Sequence, residues 1–318
     1  MAQRRRVGKK LFKSLLPILL VLAVAFVGIF SWIVYGILHP PRQAYLVTPQ
    51  SFANISGSAL KVTDETWANR DGTRARGWLL RGGEGSPAVV FLHRYGGDRS
   101  WLFNLGIKLN ETSNFTILWP DLRGHGMDPP VKSSSFGVNE EGDLLAALDF
   151  LKSLKTPSEN SLAGDRIGVY GVELGAYAAL LGASHDPAVR VLALDSVPRD
   201  ASELVNAAVK SDLGVSNPLL LSLARTATRT YFLGQYADKS SCELAAAIKT
   251  PQVLLLAGAD NTQLRDSTVA LQSCFSAGVK LEARTDLPLT GFTLASATGE
   301  QGEAYDRPVI DFFVRALR

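Results

Sequence analysis

Residues 166–183 read RIGVYGVELGAYAALLGA, and the centre of this stretch is Gly171-Val172-Glu173-Leu174-Gly175. A short run rich in β-branched residues, 167–170, ends at one glycine, and a second glycine four residues later opens an alanine-rich segment. Glycine tolerates backbone conformations and close approaches that other residues resist, so the pattern predicts a buried strand, a sharp turn and a helix. The apex of the turn is acidic. A carboxylate there would sit at a helix N-terminus, where negative charge is favoured.

Working outward, the same strand–helix alternation runs in both directions. On the amino side, residues 59–69 and 74–80 alternate apolar with polar around Asp71-Gly72, as an antiparallel hairpin does, with Trp67 and Trp78 as packing residues. Residues 88–92 and 115–119 are continuous apolar runs of the kind buried in parallel sheets. The first leads into His93-Arg94-Tyr95-Gly96-Gly97-Asp98 and a helical stretch near 100–110; the second leads into Asp121-Leu122-Arg123-Gly124-His125-Gly126. Leu144, Leu145, Leu148 and Leu151 give residues 140–154 a helical period.

On the carboxyl side, residues 189–194 form a strand ending in Asp195-Ser196, and 199–249 are mostly helical, longer than a crossover needs. Pro251 precedes a strand at 252–257 that ends in Gly258-Ala259-Asp260-Asn261. A helix at 265–276, a last strand at 279–283 and a closing helix at 304–317 complete an α/β chain with a mostly parallel sheet and helices on both faces.

The chain has 318 residues, 46% of them hydrophobic, enough for a full-sized core. Its net charge of +3 misleads, because residues 1–42 hold seven Lys or Arg and no acid, which leaves 26 basic against 30 acidic residues in the remainder. Nucleic acid is therefore not an expected partner, since phosphate contacts need a basic patch on the folded domain. Two cysteines, four scattered histidines and no H-x-x-x-H pattern imply neither a metal nor a cofactor.

Residues 15–38 are uncharged and apolar. As a helix they reach about 36 Å, enough to cross a hydrocarbon core of about 30 Å. The run exceeds the h-region of a cleaved signal peptide and no small-x-small site follows, which favours a retained anchor. Arg4, Arg5, Arg6, Lys9, Lys10 and Lys13 place the amino end in the cytoplasm, Trp32 and Tyr35 in the outer interface, and the domain in the periplasm or outside the cell. The expected organisation is a basic tail (1–14), a transmembrane helix (15–38), an extended linker (39–57) starting at His39-Pro40-Pro41-Arg42, and one domain (58–318).

Four segments in this order resemble the α/β-hydrolase fold: an H-G-x-G-G-like oxyanion loop at His93 to Gly97, an intact D-x-R-G-H-G loop at Asp121 to Gly126, a G-x-S-x-G-like nucleophile elbow at Gly171 to Gly175, and the strand ending in G-x-x-D. With the anchor, the chain is similar to membrane-anchored bacterial members of the serine-aminopeptidase-like and lysophospholipase-like branch. The resemblance implies an esterase, lipase or peptidase working through Ser, Asp and His, and a helical lid at about 201–249. It also implies structural roles for His93 and His125.

The triad positions depart from that pattern. Glu173 stands where the nucleophilic serine should be, Phe292 where the histidine should be, and no histidine follows His185. The acid position is Asp260 or Asn261, and Arg94 replaces the first glycine of the oxyanion loop, whose hole would be built around Arg94, Tyr95 and Leu174. Loss of nucleophile or base costs about 10⁴ to 10⁶ in rate. The leading expectation is a pseudo-hydrolase serving as a ligand-binding or scaffolding domain, its partners being the membrane and a hydrophobic small molecule or a protein.

The rival reading is an active hydrolase, in esterase, peptidase or dehalogenase/epoxide-hydrolase style, with Glu173 as a carboxylate nucleophile and Asp260 or Asp195 as base. A third makes Ser196 or Ser184 the nucleophile, though neither sits on a G-x-S-x-G turn. Glu173 and Arg94 are expected to form an ion pair within about 4 Å. Leu219, Leu220, Leu221, Leu223, Tyr231 and Phe232 of the lid either pack down on the sheet or line a pocket mouth, core packing being the leading expectation. Cys242 and Cys274 suit either a disulfide or two separately buried thiols.

Overall fold

The computed structural model describes residues 2–56, 61–233, 239–249 and 252–318, so Gly57, Ala59 and Pro251 lie outside the described residues. Helices α1 (Ala2–Leu38) and α2 (Pro49–Ser56) precede the hairpin β1 (Val62–Ala68) and β2 (Arg74–Leu80). Then come β3 (Ser86–Leu92), α3 (Phe103–Ser113), β4 (Thr116–Pro120), α4 (Val138–Ser153), β5 (Ala163–Val172), α5 (Leu174–His185) and β6 (Val189–Asp195). The lid region supplies α6 (Ala201–Leu213), α7 (Pro218–Tyr231) and α8 (Ser241–Ala247), and the chain closes with β7 (Gln252–Gly258), α9 (Thr262–Leu271), β8 (Lys280–Leu287) and α10 (Gly299–Leu317).

The eight strands form one sheet in the order β1-β2-β4-β3-β5-β6-β7-β8. β1–β2 and β2–β4 pair antiparallel, and every later pair is parallel. β5 lies between β3 and β6 and is fully buried from Ile167 to Val172, as its apolar run requires. One core layer packs α4, α5, α6 and α8 on one face through residues such as Leu148, Leu180, Val205 and Leu244. The other packs α3 and α10 on the opposite face through Phe103, Trp119, Phe312 and Phe313. Trp78 is buried and Trp67 stacks on Phe150, the packing roles expected of both.

Two expectations change. The linker is not simply extended: Thr48 and Ser51 exchange hydrogen bonds at the start of α2, Phe52 packs edge-on against Phe103, and the Tyr45 hydroxyl donates to Asp121 at 2.8 Å. Its aromatic side chains reach the domain surface, so it is docked. The closing helix begins at Gly299 rather than near 304, because Thr298 and Gln301 form a reciprocal capping box there.

The carboxyl end of α1 belongs to the domain's core. Ile33, Val34, Ile37 and Leu38 are buried among residues of α6 and α7, while residues such as Leu20, Val24 and Val27 are exposed. α1 therefore carries an apolar stretch, Lys13–Leu38, long enough to span a membrane, and its last turns pack on the lid.

Candidate functional site

Arg94, Glu173, Asp260 and Phe292 follow the carboxyl ends of the parallel strands β3, β5, β7 and β8, whereas Ser184 lies in the last turn of α5. Glu173 stands between β5 and α5 with φ 49° and ψ −103°, a left-handed conformation that costs a non-glycine residue about 1–3 kcal/mol. The turn is held because a Cβ on Gly175 would lie 2.3 Å from the Leu92 carbonyl oxygen of β3, and one on Gly171 would lie 2.4 Å from the Gly175 carbonyl. The Glu173 N–H donates to Asp195 O at 3.0 Å and its carbonyl accepts from Tyr177 N–H at 2.9 Å. The strained elbow is thus intact.

The Glu173 side chain turns back into the oxyanion hole. Its Oε2 accepts the Tyr95 N–H at 3.0 Å, and the nearby Leu174 N–H also favours the charged carboxylate. Of the three residues that the resemblance assigned to the hole, Tyr95 thus spends its N–H on the protein's own carboxylate. Glu173 is 3% exposed, and burial pushes its carboxyl up to about 7 against the opposing pull of Arg94 and the two N–H groups.

The expected Glu173–Arg94 ion pair is not formed: the two charged groups do not come within 4.0 Å. Arg94 is instead sandwiched, its guanidinium carbon 4.3 Å from the Trp101 ring centre and 4.7 Å from that of Phe292. Nη1 donates to the Tyr95 carbonyl at 2.9 Å, while Nε is buried without a partner. Aromatic faces offer a buried guanidinium about 0.5–2 kcal/mol each, and here they outcompete a carboxylate already bonded to the Tyr95 N–H. Burial lowers the Arg94 pKa, with Glu173 pulling the other way. Arg94 contributes no donor to the hole; it walls the site.

The residues at the remaining expected triad positions each find partners outside that set. Asp260 Oδ2 accepts the Thr290 N–H at 3.0 Å and the hydroxyls of Thr290 and Thr293 at 2.8 and 2.6 Å, all from the loop after β8. Asn261 caps α9 by accepting the Leu264 N–H at 3.1 Å. Asp260 is therefore bonded to the loop that carries Phe292, and Asn261 is a helix cap. Phe292 packs against Arg94.

Asp195 is fully buried, accepts the Gly291 N–H at 2.6 Å, the Ser196 hydroxyl at 2.8 Å and the Tyr305 hydroxyl, and burial pushes its carboxyl up to about 6. Enclosed by protein donors, it is not placed to activate water. Ser196 is buried against Asp195 and Thr290, and Ser184 bonds back to Leu181 O, so neither is poised as a nucleophile.

The histidines brace loops. His93 Nδ1 bonds to Arg94 O at 2.8 Å and Nε2 accepts Leu122 N–H at 3.0 Å, linking the oxyanion loop to the Asp121–Gly126 loop. His125 Nδ1 bonds to Arg123 O at 2.8 Å. Burial lowers His93 to about 4 and His125 to about 3, so both are neutral. His185 ends α5 beside Glu141.

An open cleft of about 330 Å³ adjoins the elbow, lined by Glu173, Glu203, Lys210, Asn261, Gln263 and Phe292 among others. None of the lid leucines 219–223 lines it. Nor do all of them pack on the core as expected: Leu219, Leu220 and Tyr231 are exposed, while Leu221, Leu223 and Phe232 are half-buried. Cys242 and Cys274 form a disulfide with Cα atoms 5.2 Å apart. Among the described residues no group of three or more His, Cys, Asp or Glu is arranged to hold a metal. Trp101, Glu203 and Gln263 entered the site without any motif to announce them.

Comparison with known proteins bears on the fold. No family model matches the chain. A dihydrolipoyllysine-residue acetyltransferase component of an acetoin cleaving system from Cupriavidus necator is 31% identical over 102 residues, and this chain spans 26% of that protein's length. Among solved structures, an esterase of Pyrococcus furiosus superposes with a TM-score of 0.63 at 22% identity over 88% of this chain and 100% of that one. An α/β hydrolase from Penicillium sp. gives 0.60 at 15% identity over 81% and 99% of the two chains. An acylaminoacyl peptidase of Pyrococcus horikoshii gives 0.58 at 14% over 85% and 44%. The chain has the α/β-hydrolase fold.

Proposed function

We propose that this protein is a membrane-anchored pseudo-hydrolase, its fold kept for binding or scaffolding and its domain held outside the cytoplasm. The observation that carries the reading is the Glu173 carboxylate turned onto the oxyanion loop, where it accepts the Tyr95 N–H at 3.0 Å. An acyl-transfer enzyme needs that N–H for the oxyanion of its intermediate, a contribution of about 2.7–4 kcal/mol per donor. The same contact speaks against Glu173 as nucleophile, since the carboxylate that would attack is already held by that donor. Phe292 offers no base for a second step. The Cys242–Cys274 bridge supports an oxidising compartment, and the basic residues ahead of the apolar stretch support a cytoplasmic amino end. The cleft beside Glu173 sets Glu203, Lys210, Asn261 and Gln263 beside Ala207, Leu264 and Phe292, so a small ligand held there would meet both polar and apolar groups.

The test uses the full chain in nanodiscs, with a fluorophosphonate probe and short- and long-chain nitrophenyl esters. Wild type and Glu173→Ser are both expected to be silent, the latter because position 292 still lacks a base. The double variant Glu173→Ser/Phe292→His, with Asp260 already facing the loop, is expected to label. Labelling or turnover by the wild type would overturn the proposal.

A further inference from the structure

Four large apolar side chains at the ends of α7 are exposed: Leu219 at 81%, Leu220, Tyr231, and Leu233 at 86%. Segment 214–233 carries Arg225 and Arg229 and no acidic residue. Exposed leucines concentrated on one helix are unusual on a soluble surface and mark a contact with something apolar. What that something is follows from where α7 sits.

α7 packs directly on α1, whose buried residues there are Ile33, Val34, Ile37 and Leu38. The apolar stretch of α1, Lys13–Leu38, has 26 residues. About 20 helical residues cross a hydrocarbon core of about 30 Å, so with Lys13 at the inner boundary the helix leaves the acyl region near residue 33. The part of α1 that receives α7 therefore lies at headgroup depth. Trp32 and Tyr35, at the same level, are exposed, as aromatic residues at a bilayer interface are.

We propose that α7 lies in the outer headgroup layer of the membrane that α1 crosses, with Leu219, Leu220, Tyr231 and Leu233 entering the acyl boundary and a lipid surface as the partner of the lid. The proposal goes beyond the pseudo-hydrolase reading and rests on α1 spanning a bilayer. A second copy of the chain is the poorer occupant. A two-fold contact through α7 would set Arg225 against its own copy. A lipid surface containing anionic headgroups attracts it.

Both cysteines of the chain are in the Cys242–Cys274 bridge, so an introduced cysteine is the single free thiol. Full-length Leu219→Cys and Leu233→Cys, each carrying an environment-sensitive fluorophore, would be placed one per nanodisc of phosphatidylcholine and phosphatidylglycerol with a doxyl group near the headgroup. Val24→Cys reports on the span, and Asp165→Cys, exposed at the amino end of β5, reports on the far side of the sheet. The labels at 219 and 233 are expected to be quenched about twofold or more relative to the label at 165, as for an interfacial helix. If they behave like the label at 165 while the one at 24 is quenched, the lid does not dock and the proposal is overturned with the span intact. An unquenched label at 24 overturns the span and the proposal together. Neither outcome bears on whether Glu173 fills the oxyanion hole.

Discussion

Glu173 combines a strained backbone, an enclosed carboxyl and a backbone donor from Tyr95, and its protonation should be visible in the stability of the whole chain. Its carboxyl is raised from 4.5 to about 7, so between those values the folded state binds the proton and the unfolded chain does not. Stability at this position therefore falls as pH rises through that window. His93 and His125 act oppositely: lowered from 6.5 to about 4 and about 3, they withdraw stability as pH falls below about 6.5. Comparing wild type with Glu173→Gln cancels the histidines. Urea unfolding should show the variant gaining about 1–3 kcal/mol on wild type between about pH 4.5 and 8. A pH-independent difference would mean that the carboxyl is not held away from water. That a carboxylate sits on this turn was legible from Gly171 and Gly175. That it folds into the hole instead of meeting Arg94 was not, because the Trp101 and Phe292 rings that capture the guanidinium come from separate segments that only the tertiary fold brings together.

At the scale of elements, periodicity located nearly every strand and helix, because each buried strand is a continuous apolar run and each helix carries an apolar stripe. The misses fall where side chains set the boundary. The Thr298–Gln301 capping box starts α10 early, and the Thr48–Ser51 hydrogen bonds start α2 in a stretch rich in polar and turn-forming residues. The exposure of the lid leucines could not be read from sequence either, since an apolar helix face is written the same way whether it meets a core or a bilayer. Within this region α8 is tied to the turn after α9 by the Cys242–Cys274 bridge, with a sequence separation of 32 residues. A loop of that length is worth about 3–4 kcal/mol by closure entropy. Cys242→Ala/Cys274→Ala should lower thermal stability accordingly, as should a reductant on the wild type. No change on reduction would mean that the bridge does not constrain the unfolded chain.

At the scale of the whole molecule, the sheet, the lid and the amino-terminal helix are one packed body. α1 buries Ile33, Val34, Ile37 and Leu38 against the lid, and the linker is pinned through Tyr45 and Phe52. The last carbonyls of a helix lack partners within it, and here the domain supplies them. The Tyr95 hydroxyl donates to Ile37 O at 2.7 Å and lies 2.9 Å from Asp212, and the Ser134 N–H donates to Leu38 O at 2.8 Å. Tyr95 is also the residue whose N–H holds Glu173.

The leash is thus cut to fit its collar. A chain whose residues 2–38 are exchanged for an unrelated hydrophobic helix would still be tethered, yet it would lose the apolar knobs and perturb the caps that steady the lid and the Tyr95 loop. Limited proteolysis of such a chimera in nanodiscs should nick the lid several times faster than in the native chain, as expected when a docked element loses about 1 kcal/mol of support. Equal rates would reduce α1 to a mere attachment. A shed form released by cleavage at residue 43 would not be the same domain set free, but one with an apolar groove newly open to water beside the Tyr95 loop.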